Sequence, residues 1–378
     1  MYIKKTKSGS YEAIVDVAPV GSNTRKQRSK TFTKKSEAKK WALNKLSERD
    51  NNQIIDDHGY TLGDFLLLWL ERYAKVNLSP TTVNGYSVIV KRHVIPILGH
   101  IPLSNLNSRF IQQYEFQKLQ NGKLNGDGGL SKKTVLQHHN VLSKSLNYAV
   151  KHGLIKNNPC KKVEAPKARR KPMRNLNPRQ VRKLLKTAKN KSYWHYAFIY
   201  LAIHTGARRS ELMGLNWKDI SLKDKKLTFR RVYIKGIDTI STFKSLTKNH
   251  KIREITLSDE NIAVLNKLKA KQEKLKENKD YEDQDIVFAK DNGKPYSPDV
   301  PSRRFKSVAK KAGLGEFRLH DLRHTFATIS LEAGVPIKVI SERLGHSSVT
   351  TTMDIYSHVC SEFQRKAQKI FNQYLENN

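Results

Sequence analysis

The chain has 378 residues, with 71 Lys and Arg against 34 Asp and Glu, and a formal net charge of +37. That length supports two or three domains and a sizeable core, and a charge so large points to a polyanionic partner, of which nucleic acid is the commonest. Cys160 and Cys360 are the only cysteines and form no CxxC pair, so no zinc site is indicated and a reducing cytoplasm suits them. The N-terminus MYIKKTKSGS lacks the apolar core of a secretory signal. The longest apolar runs, FLLLWL and AFIYLAI, are too short to span a bilayer, so no membrane role is expected. A merely basic or ribosome-associated globular protein is the alternative at this point.

Residues 1 to about 50 form a first unit (1–55 with its connector). GSYEAIVDV alternates as a strand does, SKTFT is a second strand, and PVGSN is the turn between them. KKSEAKKWALNKLSERD reads as a helix with Ser36 at its N-cap and Ala38, Trp41, Ala42 and Leu46 on one face. The unit holds 13 Lys and Arg against 5 acids. A basic face on such a sheet, carrying Arg25, Lys26 and Arg28, could lie against DNA or simply be solvated.

Residues 60–160 read as all-helical. TLGDFLLLWLERY places Leu62, Phe65, Leu66, Trp69 and Tyr73 on one face. The next helix starts with Ser79 as N-cap and Pro80 in the first turn. NSRFIQQYEFQKLQ and SKKTVLQHHNVLSKSLNYAVKHGLI follow, the last stopped by Gly153. Four or five short helices fit a compact bundle. Residues 161–175 read as a linker inside a stretch, 151–192, with 15 Lys and Arg and one acid, Glu164. Arg169, Arg170 and Lys171 would follow a phosphate backbone there.

Residues 176–378 form a larger unit. NPRQVRKLLKTA and WHYAFIYLAIHTG are helices, the second ended by Gly206. KKLTFRRVYI and IREITLS are strands around a hairpin region, STFKSLTKNHK. Four helices follow, over SDENIAVLNKLKAKQEKLKEN, PSRRFKSVAKKAGL, LHDLRHTFATISLEAG and IKVISERLGHS. The fold class expected is multidomain, mainly α with small β-sheets.

Four short stretches carry chemistry. Arg208 lies between two helices in HTGARRSELMGLNW, three residues before Glu211. His320 and Arg323 share one helix side in LHDLRHTFAT, with Leu319, Leu322, Phe326 and Ile329 on the opposite, buried side. That places His320 and Arg323 on the exposed side. His346 lies in LGHSS and Tyr356 in TTMDIYSHV. Taken singly, each has an ordinary structural explanation: a paired arginine, a cap, a packed ring. Together they are the parts needed to cut a phosphodiester. Arginines neutralise the non-bridging oxygens. A tyrosine attacks phosphorus and conserves the bond as a phosphotyrosine. Histidines move protons or hold the phosphate, and a lysine protonates the departing oxygen. No carboxylate cluster of metal-binding type is evident, and neither a metal nor another cofactor is expected.

The order TGARRSELMGLNW, LHDLRHTFAT, LGHSSVTTTMDIYSHV resembles the tyrosine recombinase (phage integrase) family over essentially the whole chain, and most resembles integrases of temperate phages and integrative elements of Gram-positive bacteria. The resemblance implies an arm-type DNA-binding domain at 1–55, a core-binding domain at 60–160 and a mixed α/β catalytic domain at 176–378. It makes Arg208 and Arg323 the phosphate-clamping arginines and Tyr356 the nucleophile. His320 becomes the histidine that assists proton transfer, and His346 the one that contacts the scissile phosphate. Glu211, His324 and His358 become supporting residues, Glu211 by orienting Arg208. The catalytic lysine is placed at Lys248, with Lys244 and Lys251 as rivals because hairpin length varies.

The implied reaction is site-specific recombination of double-stranded DNA, at core and arm sites, through a 3′-phosphotyrosine and a Holliday junction. A homotetramer on DNA, an excisionase and a host DNA-bending protein are implied as partners, in a bacterial cytoplasm on the nucleoid. The tail stripe Phe363, Ala367, Ile370, Phe371 and Tyr374 packs at home or on a neighbouring protomer. Two other classes stay open: a type IB topoisomerase, which would relax supercoils alone, and a non-catalytic regulator on the same scaffold.

Overall fold

The computed structural model describes residues 1–6, 8–16, 27–50, 60–168, 174–236, 241–246 and 252–345, together with 372, 375 and 376 in the tail. The chain divides into two compact units, Met1–Arg170 and Lys171–Asn378.

The first unit opens with an antiparallel sheet in the order β1 (Tyr2–Lys5), β2 (Tyr11–Asp16), β3 (Gln27–Phe32). Helix α1 (Lys35–Asp50) buries Ala38 and Ala42 against Ala13 and Val15, with Trp41 and Leu46 alongside, as the apolar stripe predicts. The helix already begins at Lys35, so Ser36 lies inside its first turn rather than at the cap. The expected turn at PVGSN lies outside the described residues.

The rest of this unit is helical: α2 (Leu62–Trp69), α3 (Lys75–Asn77), α4 (Pro80–Ile89), α5 (Ile95–Leu98), α6 (Ser108–Asn121) and α7 (Lys132–Lys151). Thr61 caps α2 through a reciprocal bond with Asp64, and Ser79 caps α4 through Thr82 N. A π-turn at Leu70–Ala74 joins α2 to α3, and another at Val90–Val94 joins α4 to α5. The second ends two residues before Pro96, whose ring would clash with the carbonyl one turn back in a regular helix, and a wider turn there relieves such a clash. Leu62, Phe65, Leu66 and Trp69 are all buried in the shared core, and Cys160 packs there too.

Between α6 and α7 lies a buried polar layer. Tyr114 Oη and His138 Nδ1 are 2.9 Å apart, and His139 Nδ1 meets Glu115 Oε1 at 2.7 Å. His93 packs on His138, ring centroids 4.8 Å apart. Burial, then the charges of His93 and Lys118, lowers His138 from 6.5 to about 4, and burial likewise lowers His93. The neutral rings are favoured only in the folded chain. Their contribution is complete above pH 6.5 and is lost as the pH falls towards 4. His138 alone should cost about 3 kcal/mol across that window. The protection factors of amides in α6 and α7, corrected for the intrinsic exchange rate at each pH, should fall over the same range, and a His138→Leu variant should show a flatter pH profile.

The second unit contains α8 (Pro178–Lys191), α9 (Tyr193–Thr205), α10 (Arg209–Met213), β4 (Ile220–Ser221), β5 (Lys226–Phe229), β6 (Arg231–Lys235), β7 (Ser241–Ser245) and β8 (Arg253–Thr256), then α11 (Asp259–Lys276), α12 (Val300–Lys311), α13 (Asp321–Glu332) and α14 (Ile337–Leu344). The expected strand KKLTFRRVYI is in fact two. At Arg230 the chain changes partner: β5 pairs with β8 in the sheet β4-β5-β8, whereas β6 pairs with β7. STFKS, within the expected hairpin region, is β7, paired antiparallel with β6. The core is built on α9, with Phe198, Leu201, Leu212, Phe229, Phe288, Phe305 and Leu322 all buried. Among the described residues, no helix is long and apolar enough to cross a membrane.

Candidate active site

Helices α9 and α14 both end in a left-handed glycine, Gly206 at φ 61° and Gly345 at φ 65°. A Cβ on Gly206 would stand 2.5 Å from Leu344 Cδ2 and 2.7 Å from Phe326 Cδ1, so the two helix ends approach only because no side chain intervenes. Their last carbonyls lack intrahelical donors and carry the negative end of the helix dipole. Arginines supply what is missing.

Arg323, in the first turn of α13, donates from Nη1 to Gly206 O at 2.8 Å and from Nη2 to Leu344 O at 2.6 Å. Arg208, just before α10, donates from Nη1 to Leu344 O at 3.4 Å and from Nη2 to Gly345 O at 3.1 Å. Arg253, at the start of β8, donates from Nε to Arg343 O at 2.8 Å. Three consecutive carbonyls of the α14 terminus are therefore seated by three guanidinium groups.

Glu211 is the one acid among them, and it is 2 % exposed. It accepts the Arg208 backbone N–H at 2.7 Å and Arg208 Nη1 at 2.9 Å. It also accepts Nη1 and Nη2 of Arg253, both at 2.7 Å, in a bidentate pair. Burial alone would raise its pKa; the hydrogen bonds and charge of Arg253, with those of Arg208, outweigh it and hold the carboxyl at about 2. Arg253 is itself buried, stacked at 4.5 Å on Phe229, its cross-strand neighbour.

One carboxylate against three guanidiniums leaves a cationic surplus. Burial, and then the nearby Arg208, pushes Arg323 down to about 9. The group stays charged at neutral pH, so the strain is expressed as demand for an anion. A cleft of about 300 Å³ opens beside it, lined by Arg208, Arg209, Ser210, Ser302 and His320 among others. His320 is an exposed residue of that lining. Burial, then His324 and Arg323, lowers its pKa below the ordinary imidazole value, which favours the neutral ring that can take a proton. His324 meets it edge-on, centroids 5.1 Å apart, and the His324 Nδ1 is buried without a partner among the described residues.

The structure thus brings together Arg208, Glu211, His320, Arg323 and His324. It corrects the placement of Arg323, expected on the exposed side of its helix: Arg323 is 3 % exposed, because helix-end carbonyls satisfy its donors. Lys248, Lys251, His346, Tyr356 and His358 lie outside the described residues, as do Arg25, Lys26, Arg169, Arg170, Lys171 and the tail stripe from Phe363 to Tyr374. Lys244 is exposed on β7, opposite Val232, and Arg28 lies on β3 opposite Val15. Arg253 escaped the sequence reading. Its signal was faint: it shares strand parity with the buried Ile255.

Residues 174–362 match the phage integrase family, and residues 61–120 match the N-terminal SAM-like domain of phage integrases. The chain belongs to the phage integrase family. Among curated relatives of this family member is a tyrosine recombinase XerC-like protein of Caldanaerobacter subterraneus subsp. tengcongensis, 29% identical over 90% of this chain and 89% of that protein. Another is the ICEBs1 integrase of Bacillus subtilis, 26% identical over 97% of this chain and 98% of that protein. Its fold is shared with the Tn1549 transposon integrase solved with transposon right end DNA, at a TM-score of 0.67 and 21% identity, covering 81% of this chain and 99% of that one. It is shared also with a lambda integrase tetramer solved on a Holliday junction, at a TM-score of 0.57 and 19% identity, over 92% of this chain and 96% of that one.

Removing the central acid tests the electrostatics. Glu211→Gln strips a buried charge from two arginines and should destabilise the second unit by about 3–5 kcal/mol. Urea unfolding followed by hydrogen exchange of α10 and α14 would measure it.

Proposed function

We propose that Arg208, Arg323, His320, His346, Lys248 and Tyr356 act together on one scissile phosphate. The enzyme is a tyrosine-type, site-specific DNA recombinase that integrates or excises mobile DNA. The observation that carries the assignment of roles is the convergence of Arg208 and Arg323 on Leu344 O, with surplus positive charge and a neutral His320 at the rim of the adjoining cleft.

In this reading the two guanidiniums hold the non-bridging oxygens as charge develops on them. Tyr356 Oη bonds to phosphorus and gives up its proton to His320 or solvent. The bond from phosphorus to the 5′ oxygen breaks, and Lys248 protonates that oxygen. His346 contacts the phosphate. The free 5′ hydroxyl of a partner duplex then attacks the 3′-phosphotyrosine, and the tyrosine recovers its proton. Two such rounds pass through a Holliday junction. The number of phosphodiester bonds is unchanged, so strand exchange is balanced without nucleotide hydrolysis.

Double-stranded DNA is the partner, and the working assembly is a homotetramer on two duplexes, by analogy with the lambda integrase tetramer on a Holliday junction. Residues 1–55, with Arg25, Lys26 and Arg28, serve arm sites; residues 60–160 and the catalytic unit serve the core site. Arg169, Arg170 and Lys171 follow the backbone between them. Excision calls for an excisionase and a host DNA-bending protein. The setting is the bacterial cytoplasm, on the nucleoid.

A nicked suicide duplex carrying the attachment core tests this with EDTA present. The wild type should form an adduct that survives SDS, and Tyr356→Phe should form none. Arg208→Ala and Arg323→Ala should each lower the single-turnover rate by about 100-fold or more. Joining of the trapped strand to a second duplex separates a recombinase from a topoisomerase. Specific binding without an adduct would overturn the assignment of Tyr356.

A further inference from the structure

Glu211 stands between two arginines with opposite needs. A carboxylate bonded face to face with Arg208 would cancel the charge that faces the cleft. That pairing does not form. Arg208 receives one oxygen of Glu211 at its side chain, through Nη1 at 2.9 Å, while Nη2 turns to Gly345 O. Both oxygens of Glu211 are instead held at 2.7 Å by Arg253.

Arg253 is fixed well enough to hold them. Its Nε is tied to Arg343 O, and its guanidinium lies on Phe229. Gly345 also crowds it: a Cβ there would stand 3.1 Å from Arg253 Nη1. Arg208 differs, since 39% of its side chain is exposed, towards the cleft that His320 shares.

We propose that Arg253 is a positioning residue for the phosphate site: it occupies the Glu211 carboxylate, keeps it from pairing face to face with Arg208, and so leaves the Arg208 charge free for a phosphate. The inference deepens the recombinase reading and rests on it for the identity of the phosphate. It assigns Glu211 two tasks. The carboxylate aims Arg208 through its backbone N–H and Nη1, and it must be restrained from doing more. Arginine is required at 253 because only a fork fills both oxygens and still reaches a carbonyl with Nε.

A purely structural role and this role predict opposite results for a double substitution. Arg253→Met should release Glu211 to pair with Arg208, lowering the single-turnover rate of adduct formation by about 100-fold with little change in duplex affinity. Adding Glu211→Gln removes the quenching charge, so the Arg253→Met/Glu211→Gln protein should recover at least about tenfold over Arg253→Met alone. A double variant no faster than Arg253→Met, in the face of wild-type adduct formation, overturns the inference.

Where Arg253→Met does not fold, Arg253→Lys keeps the charge and loses the fork. It should show a smaller deficit, again relieved by Glu211→Gln, and absence of relief overturns the inference equally. A second readout needs no nucleophile. Inorganic phosphate should raise the unfolding temperature of the wild type more than that of Arg253→Met, and the double variant should regain the difference. Equal shifts in all three proteins overturn the role of Arg253. Loss of the adduct in the wild type, with the phosphate pattern intact, overturns only the assignment of Tyr356.

Discussion

The second unit is organised by one electrostatic constraint: buried guanidinium groups must find acceptors, and helix ends must find donors. The termini of α9 and α14 present carbonyls that no residue of their own helices can satisfy. Arg323 bridges the two ends, Arg208 shares one of them, and Arg253 takes the next carbonyl along. Each interaction settles two debts of solvation at once. Lysine could not take these places, since an ammonium lacks the planar fork that spans two acceptors. The glycines that close both helices belong to the same constraint: a side chain on Gly206 would strike Leu344 and Phe326, and one on Gly345 would press on Arg253.

The surplus of charge is what makes the arrangement chemical rather than merely structural. A buried network with equal numbers of acids and bases would be inert towards anions. Here three guanidiniums face one carboxylate. The carbonyl dipoles lower the cost of that imbalance without cancelling it. The helical unit provides the contrast. Its buried layer joins His93, Tyr114, Glu115, His138 and His139, with Lys118 over the Tyr114 ring, inside the packed core. His138 is buried within a core, whereas His320 is exposed and lines a cleft.

Much of this was legible in the sequence. The apolar stripes of α1 and α2, the cap at Ser79 and the stop at Gly153 follow from local periodicity and local hydrogen bonding, which sequence carries directly. The Arg208–Glu211 pair is also local, at a spacing of three. What stayed hidden is non-local. Arg253 meets Glu211 across 42 residues, through a β5–β8 register that no pattern within β8 specifies. Arg323 was assigned to an exposed face because one apolar stripe of α13 was visible, while the acceptors covering its other side come from α9 and α14. The break between β5 and β6 at Arg230 is a change of pairing partner, and alternation cannot reveal it.

The clamp on the end of α14 also bears on how the chain acquires its structure. Arg208 reaches its carbonyl partners across 136 or 137 residues, and Arg253 reaches Arg343 across 90. Contacts of such separation form late, since the loop they close must be ordered first. On a ribosome, α8, α9 and the small sheet are complete long before the acceptors on α14 emerge. Until then Arg208 and Arg253 lack their carbonyl acceptors, and Arg323 has only Gly206 O. The arginines that meet at the end of α14 in the folded unit are a diffuse, unaligned charge in the growing chain, and they align only once residues 343–345 are available to accept them.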